Sequence, residues 1–260
     1  MHFWEEPCIS GTNGSGTVFF SGCSLHCVFC QNETIAQGIA GKIISKERLV
    51  EIFLELQEKK ANNINLVTPS HYVPYIVWAV EHARNQGLTI PIVYNTSSYE
   101  SVEALRRLEG LVDIYLPDMK YVSRKLSKDY SNAENYFEVA SNALKEMVRQ
   151  VGEPEFDGRG YLKKGVVVRH LVLPGTTKDS KAVLDYLWNT YGDRIYISIM
   201  NQYTPMEQIK NHPLLSRKVT KREYSKIVDY ALSLGWENGF IQEGETAKES
   251  FIPGFNGVGV

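Results

Sequence analysis

The sequence predicts an α/β protein in which a parallel sheet is covered by helices. The chain has 260 residues, of which 43% are hydrophobic and 22% are charged, so it can bury the core of one domain and is not intrinsically disordered. Short β-branched and aromatic runs alternate with longer amphipathic stretches along most of the chain. This alternation is typical of parallel strands that are joined by helical crossovers.

Six strand–helix units follow one another in this pattern. β-branched and aromatic runs predict strands at 17–20, 64–67, 91–94, 112–116, 166–173 and 195–200, and 239–241 could add a last strand. Apolar residues at helical spacing predict helices at 46–60, 71–86, 100–108, 178–191 and 220–234, with a broken helical stretch at 126–150. Ser45 is a candidate N-cap, and Gly87 and Gly235 are candidates for ending their helices. The segment 151–165 is rich in glycine and acidic residues, which predicts an extended loop.

The overall charge excludes several classes of partner. The 28 basic and 30 acidic residues give a formal net charge of −2, which offers no bulk attraction for nucleic acid. No apolar run is long enough to span a membrane, and residues 1–6 lack the basic start and apolar stretch of a secretory signal. We therefore expect a cytoplasmic protein that is not associated with a membrane.

The four cysteines are clustered near the beginning of the chain. Cys23, Cys27 and Cys30 follow the first predicted strand with C-x3-C-x2-C spacing, and Cys8 precedes it. Three thiolates this close together indicate a soft metal centre, and an iron–sulfur cluster is the leading interpretation. A structural zinc site is the alternative, but it needs a fourth ligand. The candidates for that ligand are His2, Cys8 and His26.

Polar residues follow the other predicted strands. In a six-unit barrel or wound sheet, the active site lies at the carboxyl ends of the strands. The candidates there are Thr68, Ser70, Asn95, Asp118, Lys120 and Gln202. Structural alternatives remain open: Ser70 can cap a helix, Asn95 can form an Asx turn, and Asp118 with Lys120 can form a surface ion pair.

The fifth predicted strand contains a charged residue within an apolar run. Strand alternation turns one of Arg169 and His170 inward and the other outward. A buried arginine requires a partner, and its planar guanidinium suits a carboxylate. That carboxylate could belong to a ligand, or the partner could be Asp113 or Asp118 in a structural ion pair.

The cysteine motif resembles that of the radical S-adenosylmethionine (SAM) superfamily, C-x3-C-x-aromatic-C, with Phe29 at the aromatic position. Segments along nearly the whole chain resemble homologues of the pyruvate formate-lyase activating enzyme. They are Glu5-Glu6-Pro7, Phe19-Phe20-Ser21-Gly22-Cys23, Cys30-Gln31-Asn32, Pro117-Asp118-Met119-Lys120-Tyr121, Arg169-His170-Leu171-Val172-Leu173-Pro174-Gly175 and Gln202-Tyr203. The resemblance implies a partial (β/α)6 TIM-like barrel at 17–241, between an N-terminal extension at 1–16 and a tail at 242–260, in a single domain. The chain is similar to a short form that lacks the additional upstream cysteines.

The resemblance also implies roles for the candidate residues. Cys23, Cys27 and Cys30 would ligate three irons of a [4Fe–4S] cluster, whose fourth iron binds the amino and carboxylate groups of SAM. Phe29 would lie beside the adenine, and Asn95 beside the ribose or methionyl group.

The remaining candidates would surround the same cofactor. Asp118 and Lys120 resemble an Asp-x-Lys segment near SAM, Arg169 would bind the SAM carboxylate, and Gln202 would lie in the pocket. Thr68 to Ser70 occupy the position of a Gly-Gly-Glu segment that contacts the methionine amine.

The implied activity is reductive cleavage of SAM to a 5′-deoxyadenosyl radical that abstracts hydrogen from a substrate. Activation of a glycyl radical enzyme is the leading hypothesis, with flavodoxin or ferredoxin as the electron donor and anaerobic conditions. The alternatives are a small-molecule or peptide substrate, and a non-catalytic iron–sulfur or zinc protein.

Overall fold

The computed structural model describes residues 1–242, so nearly all of the predicted tail at 242–260 lies outside the described residues. The strands are β1 Gly16–Phe19, β2 Ile64–Val67, β3 Ile92–Thr96, β4 Ile114–Pro117, β5 Glu155–Phe156, β6 Leu162–Leu171, β7 Tyr196–Met200 and β8 Gly239–Ile241. The α-helices are α1 Pro7–Ser10, α2 Glu33–Ala36, α3 Lys46–Glu58, α4 Val73–Asn85, α5 Val102–Arg106, α6 Arg124–Ser131, α7 Tyr136–Val151, α8 Thr177–Tyr191 and α9 Lys221–Leu234.

The predicted fold class is confirmed. The strands β1, β2, β3, β4, β6, β7 and β8 pair in this order, and every pair is parallel. A helical crossover joins each strand of this path to the next, which gives six strand–helix units. Within residues 1–242, β1 and β8 are the two edges of the sheet and do not pair with each other. The barrel is therefore partial.

Of two irregular predicted segments, the broken helical stretch is confirmed and the extended loop is wrong in part. The broken stretch at 126–150 is two helices, and Asn132 between them adopts a left-handed φ of 51° that ends α6. The predicted loop at 151–165 contains β5 and the beginning of β6, which pair as antiparallel strands. Such a pairing is hard to predict because β5 is only two residues long and both are exposed.

Two apolar layers form the core. The larger layer lies between the sheet and the helices, where residues such as Phe53 of α3 and Ile76 of α4 are fully buried. The smaller layer lies inside the barrel, where Cys8 and Ile9 of α1 pack against inward-facing strand residues such as Val93. Cys8 and Ile9, which belong to the predicted extension, therefore fill part of the barrel interior. We call residues 5–10 the plug.

The plug enters at the amino-terminal ends of the strands. Asn63, which precedes β2, donates a 2.8 Å hydrogen bond from Nδ2 to the carbonyl oxygen of Ile9. Gly11 ends α1 with a left-handed φ of 50°, and a side chain there would collide with the ring of Tyr161. The Tyr161 hydroxyl accepts a 3.1 Å hydrogen bond from the backbone nitrogen of Thr12. Part of the 151–165 segment thus covers the base of the barrel, at the end opposite the strand carboxyl ends.

The helices between residues 1 and 242 are those of a packed domain. None of them combines the length and the apolar character that a membrane span requires.

Candidate active site

A cavity of about 720 Å³ lies inside the barrel at the carboxyl ends of the strands. It is lined by the last residues of several strands, among them Phe19 of β1, Val67 of β2 and Met200 of β7. Most of the predicted site residues line it together. They are Cys27, Phe29, Cys30, Asn95, Asp118, Lys120, Arg169 and Gln202.

The cysteine loop follows β1 and forms one side of this cavity. Burial raises the pKa of Cys23, and it raises the pKa of Cys30 to about 11. The nearby Cys27 thiol contributes to raising the pKa of both, whereas the ammonium of Lys120 lowers both. Cys27 Sγ lies 3.0 Å from Ser131 Oγ, which ties the loop to the end of α6.

The three thiols suit a cluster better than a single ion. Among the described residues, no three His, Cys, Asp or Glu side chains are placed to hold one metal ion. Cys8 is buried in the plug, where burial raises the pKa of its thiol to about 12, and His26 is exposed. Within residues 1–242, none of the three predicted fourth ligands, His2, Cys8 and His26, joins the cysteines in a group that could hold one zinc ion. Three thiolates spread over three irons match the donor set of a [4Fe–4S] cluster with one open iron.

Arg169 is the centre of a buried polar network. Its side chain is only 15% exposed. Its guanidinium donates from Nε to Asp118 Oδ1 (3.2 Å), from Nη1 to Glu5 Oε2 (3.1 Å) and from Nη2 to Asn95 Oδ1 (2.6 Å). Three acceptors on separate elements hold the planar group in one orientation. Of the two predicted carboxylate partners, Asp118 is the one that Arg169 contacts.

Asp118 also binds Lys120, so one carboxylate joins both basic residues of the site. Lys120 Nζ donates a 2.6 Å hydrogen bond to Asp118 Oδ2. Burial alone would raise the pKa of Asp118, but Lys120 and Arg169 lower it below its ordinary value. The side chains of Lys120 and Asp118 are 17% and 20% exposed, so the pair is not a surface ion pair. The other predicted partner of Arg169, Asp113, pairs with Arg84 instead.

Strand alternation places the neighbour of Arg169 on the other side of the sheet, as predicted. His170 is 2% exposed, and its Nδ1 lies 2.8 Å from the carbonyl oxygen of Met119. Burial lowers the pKa of His170 to about 4, so the ring is neutral at pH 7 and Nδ1 is the atom that donates.

Thr68 and Ser70 do not line the cavity. The Ser70 hydroxyl donates a 2.5 Å hydrogen bond to Glu100 Oε1, and Thr96 donates to the same oxygen at 2.5 Å. Thr68 adopts a left-handed φ of 57°, a conformation that a β-branched residue rarely takes. This backbone departure lies at the carboxyl end of β2, immediately after the cavity-lining Val67.

Two contacts link the region of Phe29 to the region of Gln202. Phe29 is 7% exposed and contacts the ring of Tyr203 edge-on, with 6.1 Å between ring centroids. The side-chain nitrogen of Gln31 donates a 2.9 Å hydrogen bond to the carbonyl oxygen of Gln202. The cysteine loop is thus fixed to the segment after β7.

The sequence interpretation gave no role to Glu5 and Glu6, which line the inner end of the cavity. Glu5 accepts from Arg169 and, at 3.1 Å, from Asn65 Nδ2 of β2. Glu6 is 8% exposed. Burial raises the pKa of both carboxyl groups. The one signal that could have indicated a role for them was the Glu-Glu-Pro segment, in which two adjacent acids precede an apolar stretch.

A model of the radical SAM superfamily matches residues 17–187. The chain belongs to the radical SAM superfamily. The cofactors of radical SAM proteins are a [4Fe–4S] cluster and SAM, and Cys23, Cys27 and Cys30 are the residues that would hold the cluster.

Similar proteins of known sequence or structure agree with this membership. An uncharacterised protein of Methanocaldococcus jannaschii is 28% identical over 238 residues, which are 89% of this chain and 65% of that protein. Streptococcus suis SuiB bound to S-adenosylmethionine has a TM-score of 0.58 at 11% identity, over 88% of this chain and 51% of SuiB. The FeFe-hydrogenase maturase HydG from Carboxydothermus hydrogenoformans has a TM-score of 0.62 at 15% identity, over 91% of this chain and 55% of HydG.

A domain of the pyruvate-formate lyase-activating enzyme from Bacteroides vulgatus has a TM-score of 0.50 at 11% identity, over 70% of this chain and all of that domain. Identities this low show a shared fold. The chain spans about two thirds of the curated relative and about half of SuiB and HydG.

Proposed function

We propose that this radical SAM protein reductively cleaves SAM and uses the resulting 5′-deoxyadenosyl radical to abstract hydrogen from a substrate in the barrel. The observation that carries the proposal is the loop of Cys23, Cys27 and Cys30, in which Cys27 and Cys30 line a cavity of about 720 Å³. When bound, the cluster supplies the electron for cleavage of the sulfonium.

The residues around the cavity orient the cofactor and the substrate. Lys120 places a positive charge beside the cysteine loop, where it favours the thiolates. Asp118 fixes both Lys120 and Arg169, so the charges on the cavity wall are held before any ligand enters. Phe29 offers an apolar surface for a base. The only other cysteine, Cys8, lies in the plug, so we propose that flavodoxin or ferredoxin delivers the electron.

For the hydrogen donor, we propose a backbone glycine of a glycyl radical enzyme. Support comes from the resemblance to the activating enzymes and from exposed apolar side chains that line the cavity. Phe3, Trp4 and Ile241 line the cavity and are 53%, 58% and 45% exposed. Exposed apolar side chains form a surface on which an inserted polypeptide loop can pack.

A small-molecule substrate is the second candidate. The buried network of Arg169, Glu5 and Asn95 favours it, because fixed charges inside a cavity recognise small polar ligands.

The test is anaerobic reconstitution with iron and sulfide, followed by SAM and dithionite and quantification of 5′-deoxyadenosine. We expect the wild type and Cys8→Ala to form 5′-deoxyadenosine. Cys27→Ala should lose at least about 100-fold, because Cys27, unlike Cys8, belongs to the cluster-binding set. Cys8→Ala makes the same chemical change in the plug and is the matched control. A fully loaded wild type that forms no 5′-deoxyadenosine would overturn the proposal.

The donor is tested by mixing the active protein with candidate glycyl radical enzymes and recording the EPR spectrum. An organic radical on the added enzyme, formed in proportion to 5′-deoxyadenosine, supports activation. Production of 5′-deoxyadenosine with no protein radical on any of them would favour the small-molecule substrate.

A further inference from the structure

The cavity is lined by more acidic than basic side chains. The acidic and basic side chains that line the cavity in residues 1–242 are Glu5, Glu6, Asp118, Lys120 and Arg169. Lys120 binds Asp118, and Arg169 is shared by Asp118 and Glu5. Within this set, no basic group is bonded to Glu6.

Glu6 is the member of this set whose hydrogen bonding is incomplete. Its side chain is more than nine-tenths buried, and its Oε2 accepts no hydrogen bond within the described part of the chain. The Ser198 hydroxyl of β7 hydrogen-bonds to its side chain, and Arg169 is the positive charge that lowers its pKa most. Burying a carboxylate oxygen without a partner is costly, because it loses its water and gains no donor in return.

The position of Glu6 places this incomplete group away from the cysteine loop. Ser198 lies in the middle of β7, and Asn65, the partner of the adjacent Glu5, is the second residue of β2. The cysteines, in contrast, lie in the loop that follows the carboxyl end of β1. Glu5 and Glu6 are therefore deeper in the barrel than the loop that would hold the cluster.

We propose that the Glu5–Glu6 end of the cavity binds a protonated amino or guanidinium group of the substrate, with the Glu6 carboxylate as the acceptor. A cation there supplies both the donor that Glu6 lacks and the positive charge that the lining lacks. Because the terminal torsion of glutamate is soft, the carboxylate can turn either oxygen toward the cavity. The proposal rests on the proposed function only in taking the occupant to be the substrate.

SAM could also supply a cationic group. The depth of Glu6 favours the substrate, because a SAM molecule bound to the open iron has its amino group at the cysteine loop. The two sources are separated by measuring amine binding with and without saturating SAM.

The experiment is isothermal titration calorimetry on the full-length, cluster-loaded protein under anaerobic conditions. The probes are agmatine and n-butylammonium as cations, n-butanol as a neutral analogue and butyrate as an anion. We expect the two cations to bind the wild type at least tenfold more tightly than n-butanol or butyrate. A charge-assisted hydrogen bond of about 1.5–3 kcal/mol corresponds to a loss of roughly 10- to 100-fold in Glu6→Gln.

Glu58→Gln is the matched control, because it removes the same charge from the exposed end of α3. It should bind the cations as the wild type does. Equal binding of agmatine and butyrate by the wild type, or unchanged agmatine binding by Glu6→Gln, would overturn the proposal. So would displacement of agmatine by SAM, together with an equal loss of SAM affinity in Glu6→Gln.

Two further results keep the test decisive. If Glu6→Gln does not fold, wild-type crystals soaked with agmatine locate the guanidinium directly, and density away from Glu6 would overturn the proposal. If the protein binds the cations but forms no 5′-deoxyadenosine, the proposed function fails while the cation site stands.

Discussion

At the scale of single residues, some buried ionisable groups of this protein stay charged and others are neutral. Arg169 keeps its charge because three acceptors surround it, whereas His170, the next residue, is neutral. Sequence alternation predicted that the two would face opposite sides of the sheet. It could not identify Glu5 as a partner of Arg169, because 164 residues separate them and neither has a local pattern that points to the other.

We predict that His170 makes the protein sensitive to acid. Burial lowers the pKa of His170 from 6.5 to about 4, so between these pH values the unfolded chain binds a proton that the folded chain does not. The folded state therefore loses stability as pH falls from 6.5 to 4, by on the order of 3 kcal/mol from this group. Urea unfolding across this range should show a smaller decline for His170→Gln than for the wild type.

The matched control is His26→Gln, because His26 is exposed. Its free energy of unfolding should decline with acid as steeply as that of the wild type. A decline in His170→Gln that equals the wild-type decline would contradict the assignment.

At the scale of elements, local signals decided which helices the sequence could predict. The N-cap at Ser45 and the helix that ends at Gly235 are both confirmed. Ser70 was a candidate cap for the next helix, but α4 begins only at Val73 with Tyr72 at its N-cap position, and the Ser70 hydroxyl donates to Glu100 instead. The helices α1 and α2 were missed, since four residues are too short for a helical period.

We predict that the capping box of α9 stabilises the domain. The Thr220 side chain accepts from the backbone nitrogen of Glu223 at 3.2 Å, and Glu223 accepts from the backbone nitrogen of Thr220 at 2.9 Å. Thr220→Ala should lower the free energy of unfolding by about 1 kcal/mol, because an N-terminal amide of the helix loses its acceptor. Chemical denaturation measures the change. Ser233→Ala, an exposed serine near the end of the same helix, should stay within about 0.5 kcal/mol of the wild type, and an equal loss in both would argue against a specific cap.

At the scale of the whole molecule, the order of strands and helices was predictable and the content of the barrel was not. Alternating patterns are local, so six strand–helix units could be recognised along the chain. The plug is held by contacts with strands far away in sequence, and its four-residue helix carries no period of its own. The inner end of the candidate site could not be predicted for the same reason, because its contacts also join residues that are far apart in sequence.

We predict that the plug is part of the cooperative fold. Ile9 is fully buried within the inner apolar layer, so Ile9→Ala should lower the free energy of unfolding by about 2–5 kcal/mol. Ile43 is fully exposed, and Ile43→Ala should change it by less than about 0.5 kcal/mol. Urea unfolding followed by circular dichroism measures both. If both variants unfold at the wild-type midpoint, the plug is not packed as described.

The plug also sets an order of events during synthesis. Residues 5–10 leave the ribosome long before the residues that they contact, since Glu5 binds Arg169, and Ser198 is the partner of Glu6. At roughly 5–20 residues per second, this segment waits on the order of ten seconds or more before β7 has been made. During that time Cys8 and Ile9 have no barrel to enter. The plug is therefore translated before most of the barrel but reaches its final place only after β7 has been made.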